Sequence, residues 1–124
     1  MSKYLVGLLL ACSWAAAGRA DEPAARLDLR VLYVGNAGTP RGQAFADFLR
    51  RHCKAVDVAA REGFDPARAK TADVVLLDWS QSDPRTKPIQ SPLGKREDWD
   101  RPTVLLGSAG HLLAGAWEVR GGSG

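Results

Sequence analysis

The sequence predicts an α/β domain of flavodoxin-like type, a three-layer sandwich around a mainly parallel sheet of about five strands. Three observations predict it. Residues 31–34, 74–77 and 104–106 are unbroken apolar runs, the texture of strands covered on both faces. Each run empties into a turn carrying Gly, Asn or Ser, and capped or Pro-opened helical segments lie between the runs, as in successive βα units.

Residues 1–20 differ from the rest. Lys3 precedes an apolar run over residues 4–17, and small residues close it at Ala20. This is the pattern of a secretory signal cut after Ala20, which places the mature protein in the periplasm or outside the cell. The run is short for a membrane span, so no stable span is expected. An alternative reading makes Leu9-Leu10-Ala11-Cys12 a lipobox, with lipid added to Cys12. Residues 21–28 form an unstructured lead, and residues 29–124 suffice for one small domain with a single core.

The chain carries 17 Lys and Arg against 14 Asp and Glu. Lys3 and Arg19 leave with the signal, so the mature chain is nearly neutral. Its basic residues are scattered among acids without an aromatic-basic stripe, which gives no support to nucleic-acid binding. With Cys12 removed, Cys53 is the one remaining thiol and no internal disulfide forms. No Cys and His spacing of zinc type exists, and neither a metal nor a cofactor is predicted.

The first unit starts with the strand at residues 31–34, which stops at Gly35. Gly35-Asn36-Ala37-Gly38 tolerate positive φ, and Thr39-Pro40 sets a hydroxyl cap ahead of a proline preset for the first helical position. Phe45, Phe48, Leu49 and Cys53 then make one apolar stripe at helical spacing, with Cys53 as a packing residue. Backbone N–H groups at this helix start favour an anion, a phosphate or carboxylate. The plainer reading is a structural turn, because neither G-x-G-x-x-G nor G-x-x-x-x-G-K-[ST] is present.

Residues 55–59 read as a second strand near the sheet edge, and Glu62-Gly63-Phe64 as a turn. Asp65-Pro66 caps a short Ala-rich helix through Ala72. The most buried strand follows at residues 73–78 and ends on Asp78. Residues 80–101, interrupted by Pro84, Pro88, Pro92 and Gly94, read as a partly ordered flap with at most one turn near residues 95–99. Residues 102–106 are the fourth strand and 107–111 its exit loop. A short helix at 111–114 and a fifth strand at 117–120 complete the pattern, closed by Gly121-Gly122-Ser123-Gly124. A last strand without a covering helix leaves an apolar face exposed to a protein partner, or marks a domain that is truncated here.

In a parallel sheet the loops after successive strands gather on one edge, where ligands bind. The residues gathered there for ligand binding are Asn36, Gly38, Thr39, Asp78, Ser80, Gly107, Ser108 and Gly110, with Gly121 and Gly122 beyond them. Asp78 ends an apolar strand, so burial raises its pKa unless a cation or donors compensate. It is a candidate base, metal ligand or phosphoacceptor, against the plainer role of capping its exit loop. Ser108 is a candidate nucleophile with His111 as its base, although Leu106 stands where a G-x-S-x-G elbow needs glycine. Trp79, Trp99 and Trp117 either stack on a sugar or pack beside strands.

Two resemblances follow from these segments. The order VLYVGN, ADVVLLDWSQ, PTVLLGSAG is similar to a response-regulator receiver, with Asp78 and Ser108 at the places of its phosphoacceptor and of the hydroxyl residue after its fourth strand. Gly35-Asn36 replaces the receiver's acidic pair and its later Lys has no match, which keeps the topology and removes the phosphorelay. The first strand with its Gly-Asn loop, the segment DPARAKTADVVLLDW and the terminal WEVRGGSG resemble exported proteins of the ThuA-like, class I glutamine-amidotransferase-like superfamily. That resemblance implies a flavodoxin-like domain, several of whose members are linked to sugar utilisation. Its catalytic members use a Cys nucleophile in G-x-C-x-G with a later His and acid, and Ser108 stands in the nearest turn here.

The expected function is thus an exported α/β domain binding a small polar or anionic, carbohydrate-related ligand, with no demonstrable catalysis. The alternatives are a hydrolase or amidotransferase-like enzyme using Ser108, His111 or Asp78, and a protein-docking module using the last strand.

Overall fold

The structure is a computed structural model that describes residues 25–84 and 90–119. The signal and lipobox expectations at residues 1–20, and those on Gly121 and Gly122, lie outside the described residues. In chain order the elements are β1 (Leu27–Gly35), α1 (Pro40–His52), β2 (Cys53–Ala60), a 3-10 segment (Pro66–Thr71), β3 (Val74–Trp79), a 3-10 turn (Arg96–Asp98), β4 (Thr103–Gly107) and α2 (Ala109–Ala116). Among the described residues the sheet has four strands, all parallel, in the order β2-β1-β3-β4. Leu27 and Asp28, assigned to the lead by sequence, already belong to β1, where Leu27 pairs with Cys53.

Local chemistry explains the first unit. The Thr39 Oγ1 accepts from the Gly42 N–H at 3.2 Å and donates to the Asn36 carbonyl at 2.7 Å, so one hydroxyl closes the loop and caps α1. Thr39→Ala is expected to cost about 1 kcal/mol in a urea unfolding midpoint. The loop then lies directly on α1: a Cβ on Gly42 would stand 2.6 Å from the Asn36 carbonyl oxygen. The glycine that this turn needs is therefore Gly42. Gly38, by contrast, has open space around it.

The buried face of α1 runs through Gly42, Ala46 and Leu49. Phe48 is 50% exposed and lies against His52, with ring centroids 4.5 Å apart, so it departs from the predicted stripe. Cys53 is buried, but as the first residue of β2, where its N–H closes the helix on Leu49 O. The predicted helix over residues 66–72 is a 3-10 segment, capped by Asp65 accepting from Ala67 N–H at 2.9 Å.

Two cores flank the sheet. α1 covers Val31 and Tyr33 on one face. On the other, Leu32, Val34, Val75 and Leu77 meet Ala69, Ala72, Leu93, Ala109, Leu112 and Leu113. Right-handed crossovers require this division, because the chain steps one way from β1 to β2 and the opposite way for every later strand. The consequence is that, among the described residues, α1 stands alone on its face, and Val104, in register with Leu76 beyond it, is 45% exposed.

The predicted fifth strand is a helix ending. The Val119 N–H donates to Ala114 O at 2.9 Å and the Glu118 N–H to Gly115 O at 3.4 Å, while Glu118 takes φ 50°. These are the two bonds of a Schellman closure. The physical reason is that residues 109–116 are mostly Ala and Leu, which extend the helix past the predicted 111–114 and use Trp117–Val119 to satisfy its last carbonyls. Trp117 also donates from Nε1 to Gly94 O at 2.9 Å. Because a left-handed glutamate is strained, Glu118→Gly is expected to gain about 1 kcal/mol, measured as a raised melting temperature.

Candidate functional site

All four strands point the same way, so Asn36 after β1, Asp78 in β3 and Ser108 after β4 lie at one edge of the sheet. The chain reverses its direction of travel between β1 and β3, the switch point where open α/β sheets form their crevice. Asp78 sits there, only 2% exposed.

Its carboxylate is fully engaged. The Tyr33 hydroxyl donates to Oδ2 at 2.5 Å, and Arg41 forks onto it from Nε to Oδ2 and Nη2 to Oδ1, both at 2.9 Å. The Arg41 guanidinium lies over Phe45, 5.2 Å from the ring centroid, and Phe45 stacks on Tyr33. The Asp78 carbonyl in turn accepts from Arg61 Nη1 at 2.7 Å. Arg61 then reaches Asp83 with Nη2 at 2.9 Å and lies 4.2 Å from the Trp79 ring centroid. Asp78 is thus a hub that ties β3 to β1, α1 and the loop after β2.

Burial opposes the charge on Asp78, but the hydrogen bonds from Arg41 and Tyr33 and the charges of Arg41 and Arg61 outweigh it. The carboxyl is held below the usual carboxylate range. Burial, and then the bond to Asp78, push the Tyr33 hydroxyl well above its ordinary value. Asp73 is also lowered, by the Arg30 N–H at 2.8 Å and then its guanidinium at 3.3 Å.

A carboxyl lowered by folding stabilises the protein above its unfolded value of about 3.9, and that contribution is lost as pH falls through the folded value. Stability is therefore expected to hold down to about pH 5 and to decline below about pH 4. Urea midpoints measured across that range should fall less steeply in Asp78→Asn. An unchanged acid limb would remove Asp78 from the account.

The other predicted residues are distributed differently. Thr39 is occupied in capping α1. Ser80 shares a hydrogen bond with Ser82, Oγ to Oγ at 2.9 Å. Ser108 opens α2, its N–H donating to Trp79 O at 2.7 Å and its hydroxyl making no cap bond. Gly110 is inside α2 and not in the exit loop, while His111, expected to open that helix, lies within its first turn and is exposed. No hydrogen bond joins Ser108 to His111 among the described residues.

The edge also forms a cleft of about 800 Å³, lined by Asn36, Arg61, Phe64, Trp79, Gln90 and Ser91 among others. Of the residues gathered by sequence for ligand binding, only Asn36 lines it among the described residues. Arg61 and Arg41 were not singled out by sequence, although a buried Asp78 demands a cation. The phenol within the otherwise apolar run at residues 31–34 was a second signal. Trp79 Nε1 is buried with no hydrogen-bond partner among the described residues.

Among the described residues no group of three or more His, Cys, Asp or Glu is placed to hold a metal ion, and no helix is long and apolar enough to cross a membrane. Comparison with family models, curated proteins and solved structures finds no match to this chain.

Proposed function

We propose that this chain is an exported α/β domain that binds a small polar or anionic, carbohydrate-related ligand in the cleft at the β1/β3 switch point. The observation that carries the reading is the cleft itself. It opens at the C-terminal ends of β1, β2 and β3 and combines the Phe64 and Trp79 rings with the amides of Asn36 and Gln90 and the Ser91 hydroxyl. The strand order supports a flavodoxin-like layout, and the segments quoted above support kinship with the ThuA-like superfamily. The engagement of Asp78 and the separate settings of Ser108 and His111 favour binding over catalysis. Equilibrium dialysis and thermal-shift screening against sugars and sugar acids test it. Saturable binding lost in Phe64→Ala supports the assignment, and an empty screen removes it.

A second reading treats the β4 edge as a protein-docking surface. It is favoured by Val104 and Leu105, 45% and 41% exposed on opposite faces of an edge strand that carries no charge or proline. A monomer by light scattering that binds no hydrophobic dye would count against it.

A further inference from the structure

We infer that β4 pairs edge to edge with β4 of a second copy of this chain, antiparallel about a two-fold axis at Leu105. This rests on the docking reading above and names its partner.

The backbone shows which groups are on offer. The Pro102 carbonyl accepts from the Val75 N–H at 2.9 Å and the Ser108 N–H donates to Trp79 O at 2.7 Å, so β4 is tied to β3 at both ends through even-numbered residues. Backbone groups alternate sides along a strand. Those of Val104 and Leu106 therefore turn toward β3, and those of Thr103 and Leu105, with the Gly107 N–H, turn away from it. β4 is the last strand of the sheet, and among the described residues these outward groups have no backbone partner.

The two edges of the sheet differ. β2 carries Lys54 and Asp57, with side chains 59% and 64% exposed, charges that discourage a foreign strand. β4 reads Thr-Val-Leu-Leu-Gly and carries none. Its edge accepts an apolar strand, and β4 itself is such a strand.

The fit extends to single groups. With Leu105 on the axis, each Leu105 exchanges both N–H···O bonds with its copy, and each Gly107 N–H meets the other copy's Thr103 carbonyl. On the α1 face Val104, 45% exposed, comes opposite Leu106. On the α2 face the two Leu105 side chains, each 41% exposed, come opposite one another. One surface thus serves both copies, as an isologous interface requires, and no like charges face each other across it.

The test uses the purified full chain. Analytical ultracentrifugation is expected to show a monomer–dimer equilibrium with Kd on the order of 10 µM, the strength of a small interface. Hydrogen exchange at the Thr103 and Leu105 amides should slow as concentration rises through that value. Leu105→Lys and Leu105→Glu each set like charges against one another on the axis and are expected to weaken the dimer at least about tenfold. Mixed in equal amounts the two variants should restore it, because opposite charges then meet across the axis.

A chain that stays monomeric at about 100 µM overturns the self-pairing. If that monomer still binds a hydrophobic dye, the docking reading stands for a different protein; if it does not, both fall. Variants that dimerise like the unmodified chain, or a mixture no tighter than either variant alone, also overturn the pairing. Where the variants fail to fold, the exchange measurement on the unmodified chain decides. Protection at Thr103 and Leu105 that is independent of concentration assigns the edge to a segment of the same chain and overturns the pairing, as does no protection at any concentration.

Discussion

Asp78→Ala is expected to lower stability by about 2–4 kcal/mol. The removal of one partner from a fully buried ion pair costs roughly 3–5 kcal/mol. Here the figure is reduced because the Arg41 side chain, 43% exposed, can recover water when its partner goes. Tyr33 cannot. Its side chain is fully buried, so its hydroxyl is left without an acceptor at a cost of about 1–3 kcal/mol. Tyr33→Phe, which deletes the donor and keeps Arg41 on the carboxylate, should cost only about 1 kcal/mol. Urea unfolding of the two single variants and the double variant closes the cycle. The double variant should be more stable than the two separate losses imply, because the groups share one network. A loss below about 1 kcal/mol in Asp78→Ala would show that the hub does not hold the strands together. A domain of this size has only about 5–15 kcal/mol to lose, so the larger value is a sizeable fraction of the whole.

Gly107→Ala is expected to cost about 3 kcal/mol or more, or to prevent folding altogether. Gly107 adopts φ +64°, and a Cβ there would stand 2.2 Å from the Trp79 carbonyl oxygen. That oxygen accepts the Ser108 N–H at 2.7 Å, the bond that turns the chain from β4 into α2. A methyl group would strain the backbone and push the end of β4 away from β3, exposing Leu112 and Leu113 where α2 meets the core. Gly38→Ala is the control. Gly38 has nothing within 4 Å of a would-be Cβ, and the change should move the urea midpoint little, by less than about 0.5 kcal/mol. Equal midpoints for the two variants would refute the steric account of the β3–β4 edge.

These two residues mark where reading the chain succeeds and where it stops. The run at residues 31–34, the Thr39-Pro40 helix start, the Asp65-Pro66 cap and the strand at β3 depend on neighbours a few positions away. Short-range sterics and hydrogen bonding settle them, so they were legible. The segment at residues 117–119 misled because an aromatic and a β-branched residue suit a strand in isolation. In the fold, the last carbonyls of the eight-residue helix that precedes it needed partners. Phe48 misled for a related reason, since periodicity finds a helix face but not which edge of that face meets the sheet.

The candidate site depended on longer reach. Arg41 and Tyr33 meet Asp78 across 37 and 45 positions, and Arg61 meets it across 17. The sequence could state the need, a buried carboxylate wanting a cation and donors, but several arginines were available to meet it. The cleft came from the same source: its walls are loops from three strand ends, which become neighbours only when the sheet is assembled.

By itself, then, the sequence determined the parallel α/β class, the first strand-helix unit and the edge at which polar groups gather, because apolar runs and capping residues act through bonds to near neighbours. Only the tertiary structure decided that Asp78 is paired with Arg41 and hydrogen-bonded by Tyr33, that Arg61 is spent on Asp83, and that the chain ends its described part in a helix closure. Those outcomes turn on which side chains strand order and crossover handedness bring within about 3 Å, the range at which charge and hydrogen bonding act in a buried setting.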